Sequence, residues 1–481
     1  MLSKSRILNG LQCPKRLYLQ VHQPELAEIG PSTEHRFRVG HEVGDVARSL
    51  QPGGKLMADE DLDSALNATR QELAAAGDKV LFEPAFAHGG VLVRADILSR
   101  RGGQVELREV KSSTSIKDYH QPDVAVQVWT LRGAGVGLSR SFVTHLDNTF
   151  VYQGDRQYAG LMRDTDVSAA LGPIVDKVPG WVDQFSRVLD DAMPVVEMGA
   201  HCSDPFECPF RGHCSAGGPA FPVEILPRGG KTLVALREAG HRDVRDVPED
   251  MLKSANHLRV WRATRSGQPD IVSGAGAELK ALPYPWFYVD FETTQMAVPV
   301  WAGTRPYEQL PFQWSCHVEK ADGSLEHRGF LDLSGQPPMR AFAESLIACV
   351  GTSGPVFSYS SFERTVLGQC VARFPDLAEG LSGIMNRIVD LRPLTERSYY
   401  YPQMMGSWSI KSVIPTIASE LDYAGLGEVQ DGTQAQVAYL EAIHPRTAPE
   451  RRLAIERDLL IYCQHDTLAM VRLAHFLMEE C

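Results

Sequence analysis

At 481 residues the chain is too long for one hydrophobic core and implies two or three domains. Its 43% hydrophobic and 22% charged residues are those of a globular protein held in water, and the formal charge of -12 excludes a polycation that coats nucleic acid without selectivity. No apolar run reaches the roughly 18 residues of a membrane span, and "MLSKSRILNGLQCPKR" lacks a signal-peptide core, so the cytoplasm is the expected compartment.

In chain order, Leu2 to Gln20 reads as two short helices hinged at Cys13-Pro14. Helices over Glu34 to Leu50 and Asp61 to Ala76 follow, then a strand from Val80 to Ala85. Val93 to Ile97 and Val105 to Arg108 alternate apolar with polar residues around Arg100-Arg101-Gly102-Gly103, which predicts a β-hairpin. Asp96 falls near the end of its first strand. Glu109 and Lys111 are two apart on the second and therefore share a face. Two close carboxylates repel, a divalent ion relieves that repulsion, and a lysine beside them stabilises charge on a phosphate. Phosphodiester hydrolysis requires that set. A helix carrying Gln127 comes next, then a second hairpin from "SRSFVTHLD" and "NTFVYQG", and a long helix from Asp166 to Met193.

The order Glu83, Asp96, Glu109, Lys111, Gln127 resembles the PD-(D/E)XK nucleases of the RecB-like and CRISPR-associated branch. That resemblance implies a restriction-endonuclease-like α/β domain in which Asp96 and Glu109 bind metal, Lys111 acts at the phosphate, and Gln127 and Glu83 support the site. The family's QxxxY ends in Leu131 here, and its helix histidine is replaced near Val43 and Gly44.

Nine cysteines in a cytoplasmic chain are read as thiols rather than disulfides. Cys202, Cys208 and Cys214 crowd into "HCSDPFECPFRGHC", and Cys13 is the one cysteine before them. One distant thiolate plus a triplet resembles the iron-sulfur staple of RecB-like nucleases and implies a 4Fe-4S cluster, with zinc as the competing occupant. Cys316, Cys349, Cys370, Cys463 and Cys481 have no spacing partner, and the internal ones read as small core residues.

Residues 220–283 are expected to be a helical connector. "TLVALREAGHRDVRDVPEDMLK" reads helix, glycine turn, helix and resembles a helix-hairpin-helix module. Arg242, Arg245, Lys253, Arg259, Arg262 and Arg265 make it locally basic.

In "YPWFYVDFETT" a strand delivers Asp290 and Glu292 to one face, with Phe287, Val289 and Phe291 on the other. Near the C-terminus Tyr462 and Asp466 are four apart on one helix face. Glu363 follows a predicted buried strand, and Asp390 in "IVDLRPL" is a further candidate carboxylate. DxE, then an acidic residue after an aromatic, then YxxxD resembles the DEDD exonucleases of RNase H-like fold. The motif order also resembles a bacterial domain of unknown function found behind RecB-like nucleases. The resemblance implies that Asp290, Glu292, Glu363, Asp390 and Asp466 ligate metal and that Tyr462 positions water. Lys411, Trp301, Tyr307 and Trp314 are candidate nucleic-acid contacts.

The sequence therefore implies three parts: a RecB-like nuclease over 1–219, the connector over 220–283, and a DEDD-type nuclease over 284–481. Mg²⁺ or Mn²⁺ is the expected metal and DNA the expected partner, single strands or ends favoured, in repair, recombination or defence, with protein partners there and no membrane. The alternatives are a nucleic-acid-binding scaffold with one or both sites silent, and an RNA-directed exonuclease.

Overall fold

The computed structural model describes residues 1–57 and 61–481 and divides into two compact units. The first comprises Met1–Ala216 and Met296–Glu308, the second Gly217–Gln295 and Gln309–Cys481. Both mix helices with β-sheets, and no helix among the described residues is long and apolar enough to cross a membrane.

The strands of the first unit are β1 (Leu2–Ser3), β2 (Lys55–Leu56), β3 (Lys79–Phe82), β4 (Ala85–His88), β5 (Val91–Arg94), β6 (Ile97–Arg101), β7 (Gln104–Lys111), β8 (Leu138–Leu146) and β9 (Met162–Asp166). Six of them form one sheet in the order β2-β3-β6-β7-β8-β9, and β1-β5-β4 form a smaller one. The hairpin β6–β7 turns at Gly102 and Gly103, both at positive φ, which only glycine adopts cheaply. β7 and β8 are parallel and need a crossover, which the helix His120–Gly133 supplies. Its Val124, Val126, Val128 and Leu131 are buried with Leu98, Leu107 and Val143 of the sheet.

Two expected strands are each broken. Val80 to Ala85 divides at Glu83-Pro84, because proline cannot donate to a ladder and Glu83 sits at a φ of 55°. Val93 to Ile97 divides at Ala95-Asp96. The two breaks lie side by side, joined by Glu83 N–H to the Asp96 carbonyl (3.2 Å) and Ala95 N–H to the Pro84 carbonyl (3.1 Å). Asp96 therefore stands at the corner between the two sheets, not within a strand.

The second hairpin forms with a different partner from the one the sequence suggested. β8 pairs with β9, while "NTFVYQG" contains no strand. Asp147 accepts from the Thr149 N–H (2.9 Å) and turns the chain away, and the Tyr152 N–H goes to the Thr304 carbonyl (2.9 Å). The long helix from Asp166 to Met193 is two, Ser168–Val175 and Val178–Asp190, since Pro179 opens the second. The hinge at Cys13 is as read, between the helices Lys4–Gln12 and Pro14–His22.

The second unit holds β10 (Asp270–Ile271), β11 (Trp286–Gln295), β12 (Gln309–Glu319), β13 (Leu325–Leu331), β14 (Val356–Ser358), β15 (Ile388–Asp390) and β16 (Tyr399–Tyr400). Five form a sheet in the order β13-β12-β11-β14-β15, antiparallel from β13 to β11 and parallel from β11 to β15. Phe287, Val289 and Phe291 pack one face against Phe342, Leu346, Val366 and Leu367. Trp286 and Tyr288 pack the other with Met470, Leu473 and Ala474 of the helix Pro449–Glu480.

Residues 220–283 share that second core through Val223, Leu236, Val244, Val260 and Trp261 and belong to the second unit. The expected helix-hairpin-helix is absent from them. After the helix Gly230–Glu238 and Gly240, single 3-10 turns at Val244–Asp246 and Glu249–Met251 precede the helix Ala255–Ser266. The Asp243 carboxylate takes the Arg245 N–H (2.9 Å) and Pro248 withholds a donor, so no second helix starts there. The local basic charge is largely matched: Arg245 pairs with Asp243, Arg259 with Asp270 and Arg262 with Glu249.

Candidate functional site

In the second unit, β11 is the central strand and carries Asp290 and Glu292 just before a register shift at Glu292/Thr293. Bulges of this kind end regular pairing and re-aim side chains beside functional sites. The helix Pro449–Glu480 crosses the same face and turns Tyr462, Cys463 and Asp466 toward the strand. Glu363 enters from the first turn of the helix Phe362–Arg373, where the helix dipole favours an acid. Asp290, Glu292 and Cys463 each offer a ligand atom within 4.8 Å of one another. Glu292, Glu363 and Asp466 are buried, and Asp290 keeps a partly exposed edge.

Burial and mutual repulsion act together on these acids. Burial, then the charges of Asp466, Glu292 and Glu363, hold the Asp290 carboxyl well above the usual range. Burial and Asp466 do the same to Glu292. Burial pushes Glu363 up to about 8, and burial raises Asp466 although Tyr423, Lys411 and Tyr462 work against it. The Tyr423 hydroxyl donates to Asp466 Oδ1, and Lys411 Nζ donates to the Tyr462 hydroxyl (3.2 Å) from a place 4.9 Å from that ring's centre. The Cys463 thiol donates to Asp290 Oδ2 (3.4 Å), and burial raises its pKa well above the ordinary value. An oxygen-rich donor set with excess negative charge fits a hard divalent cation.

Asp390 lies at the end of β15 and spends one oxygen on the Arg392 N–H (2.9 Å) as the cap of the helix Leu391–Ser398. It remains close enough to raise Glu363 by repulsion. His465 Nε2 meets the Leu421 carbonyl (3.2 Å), outside the acidic group. Trp314 is buried and donates to Ser345 Oγ (3.0 Å), Trp301 is buried, and the Tyr307 hydroxyl donates to the Ser112 carbonyl (2.7 Å). The two tryptophans are packing residues, whereas Lys411 is at the site.

In the first unit, Asp96, Glu109, Lys111 and Gln127 come together. Glu109 Oε1 accepts from Lys111 Nζ (2.7 Å), and Glu109 Oε2 accepts from Gln127 Nε2 (2.6 Å). Asp96 Oδ2 accepts from the Val110 N–H (2.7 Å). Two further residues belong to the group. Lys4 Nζ donates to Glu109 Oε1 (2.7 Å) and pairs with Asp123 Oδ1 (3.0 Å), and Lys111 pairs with Asp123 Oδ2. Burial and the Glu109 charge push Asp96 up to about 8. Burial works against ionised Glu109, but Lys111 and Lys4 outweigh it and hold the carboxyl well below the usual range. Glu83 Oε1 pairs with Arg48 Nη1 at 3.4 Å; burial raises its carboxyl, and it stands close enough to Glu109 and Lys4 to feel their charges.

The donor set of this site differs from that of the second unit. Lysines and Gln127 engage both oxygens of Glu109, so a divalent ion binding there would compete with Lys4 and Lys111 for Oε1. Asp123 was visible in the sequence as the residue four before Gln127, on the same helix face. Lys4, 105 residues from Glu109, carried no local signal.

Cys13, Cys202, Cys208 and Cys214 line one cavity, with Arg16, His201 and Phe210. Burial raises the Cys13 thiol, while the backbone N–H groups of Arg16 and Lys15 pull it back, and the Phe210 N–H does the same for Cys208. The Gly199 N–H donates to Cys202 Sγ (3.5 Å). Amides directed at sulfur stabilise thiolates.

No curated protein matches the chain. Residues 287–409, which carry Asp290, Glu292, Glu363 and Asp390 but stop short of Lys411, Tyr462 and Asp466, match the family model of a domain of unknown function (DUF2779).

Proposed function

We propose that the chain is a metal-dependent nuclease that hydrolyses phosphodiesters of DNA, with the hydrolytic centre at Asp290, Glu292, Glu363 and Asp466. The observation that carries this reading is the gathering of four carboxylates from β11 and two helices, all pushed toward the protonated state until a cation compensates them. A five-stranded sheet ordered β13-β12-β11-β14-β15, with the DxE pair on its central strand, supports an RNase H-like fold for this unit. Mg²⁺ or Mn²⁺ bound there supplies Lewis-acid activation and neutralises phosphate charge. Asp290 and Glu292 would hold it, with Asp466 and Glu363 as the further carboxylates whose charge it would compensate. The Tyr462 hydroxyl, fixed by Lys411 and Asp466, orients the attacking water, and the Lys411 ammonium adds positive charge where the phosphate oxygens gather.

Cleavage of labelled single- and double-stranded DNA and RNA in Mn²⁺ tests this, comparing wild type with Lys111→Ala and Asp290→Asn. DNA cutting that depends on Asp290 supports the reading. Wild type that cuts none of the four substrates rejects it in favour of a binding scaffold, and cutting confined to RNA moves the substrate class. A second reading of the first unit has its own support. Since Lys4 and Lys111 already satisfy Glu109, that unit is suited to gripping the strand with its acidic site idle, and a Lys111→Ala variant with full cleavage would identify it as a grip.

Glu363 provides a pH test. Its folded-state pKa of about 8 lies above the ordinary carboxylate value, so its contribution to stability is complete below about pH 4 and is lost as pH rises through 8. In EDTA, wild type should lose melting temperature relative to Glu363→Gln between pH 5 and 9, and Mn²⁺ should restore more at pH 8 than at pH 6. A pH-independent difference between the two proteins contradicts the assignment.

For the four cysteines we favour a 4Fe-4S cluster over zinc. All four thiols line one cavity, the Arg16 and Lys15 amides bear on Cys13 and the Phe210 amide on Cys208, and four thiolates with such amide donors are the ligand set of that cluster. Purified protein should absorb broadly near about 400 nm, and Cys208→Ser should lose that band. Colourless protein holding zinc contradicts the cluster.

A further inference from the structure

We propose that Phe206, Tyr119 and Arg36 form a stacking site for an unpaired nucleobase, so that the first unit takes a single strand in preference to a duplex. This rests on the nucleic-acid reading of that unit and assigns the substrate class and the residues that select it. Phe206 stands in the loop between Cys202 and Cys208 and is left 39% exposed. Its ring meets Tyr119 edge-on at 5.0 Å and 66°, and the Arg36 guanidinium lies 5.5 Å from its centre. Phe37, next to Arg36, is 62% exposed, and Arg38 and Lys117 are exposed as well. Two aromatic rings and a guanidinium at an open surface are parts that hold single strands, because each base offers a π-face only when it is unpaired.

The loop is held in place. Gln12 Nε2 donates to the carbonyls of Phe206 (2.7 Å) and His201 (2.7 Å), and Gln12 immediately precedes Cys13. The four-cysteine cavity and the Gln12 clamp therefore fix the backbone that presents Phe206. The other end of the stack points to the acidic group. Tyr119 packs on His120 at 4.6 Å, and His120 opens the helix that carries Asp123 and Gln127. Tyr119 precedes this helix and Asp123 lies in its first turn, paired there with Lys111. Duplex DNA, with its base faces already stacked, gains nothing here.

The test uses the full-length protein in EDTA, so that no strand is cut, and a fluorescent oligothymidylate against a duplex of equal length. Phe206→Ala should weaken single-strand binding about tenfold or more and leave the duplex unchanged, while Phe206→Trp keeps single-strand affinity. A strand carrying 5-iododeoxyuridine should cross-link on illumination to a peptide containing Phe206 or Tyr119. Absorbance near about 400 nm and circular dichroism confirm that each variant is folded. Unchanged affinity in Phe206→Ala with cross-links elsewhere overturns the stacking site alone. Wild type that binds neither nucleic acid overturns it together with the reading on which it rests.

Discussion

Replacing Asp290 with asparagine should reduce hydrolysis about 10³-fold or more and at the same time make the metal-free protein more stable. The loss follows from removing a ligand oxygen and the charge that draws a divalent ion to β11, an effect of about 4 kcal/mol on the barrier. The gain follows from the repulsion described above. Asp290 is held well above the usual carboxylate range by burial, then by Asp466, Glu292 and Glu363, so its ionised form opposes folding and the neutral amide does not. The sign with pH is fixed. Below the raised pKa Asp290 is protonated and asparagine resembles it, so the gain in melting temperature should be smallest at acid pH and grow as pH rises. Each kcal/mol of relief should shift the transition of this unit by about 2–4 °C in EDTA, and Mn²⁺ should cancel the difference by stabilising wild type alone. A variant that cleaves normally and melts lower in EDTA would remove the metal centre from the account.

This pairing of lost activity with gained stability also shows what could be read from residue order and what could not. Asp290 and Glu292 are two apart, and Tyr462 and Asp466 are four apart, so a period of two and a period of 3.6 place each pair on one face before any fold is known. Their meeting depends on a long helix crossing β11, but apolar periodicity through Leu459, Met470 and Leu473 made that helix legible. Tyr423 and Cys463 were missed for different reasons. Tyr423 sits in a 3-10 turn with no periodic signal, and Cys463 looked like any small buried residue until its thiol was found against Asp290 Oδ2. In the first unit, Glu109 and Lys111 were legible as neighbours on one strand. The break at Glu83-Pro84 is marked by its proline, although the apolar run from Val80 to Ala85 predicts one continuous strand. The connector failed because glycine at 240 suggested a hairpin of helices, while Asp243 and Pro248 together forbid the second.

Lys4 is the residue that sequence could least provide, and it yields the other large effect. Glu109→Ala should destabilise the first unit by about 3 kcal/mol, the lower end of the range for breaking a buried ion pair, because Lys4 and Lys111 each keep about a fifth of their side-chain surface exposed (21% and 22%). The cost arises from what is left behind. Two ammonium groups that shared Glu109 Oε1 would retain only Asp123 as their acceptor, and Gln127, whose Oε1 is already without a partner, would lose the shorter of its two amide hydrogen bonds and keep the one to Asp123 Oδ1 (3.2 Å). Lys4→Met in the same background removes one of the stranded cations, so the double variant should recover part of the loss, with a coupling of about 1–3 kcal/mol in urea unfolding. Independent, additive losses would mean that water rather than Lys4 balances Glu109. Lys4→Met alone then separates the two roles of the first unit. If the ammonium occupies the oxygen that a divalent ion needs, its removal should strengthen Mn²⁺ binding measured by calorimetry in an Asp290→Asn protein, where the second unit no longer contributes. If Mn²⁺ binding there does not change, Asp96 and Glu109 do not form a latent metal site, and the pairing of Lys4 and Lys111 with Glu109 and Asp123 is a structural staple between the N-terminal helix and β7.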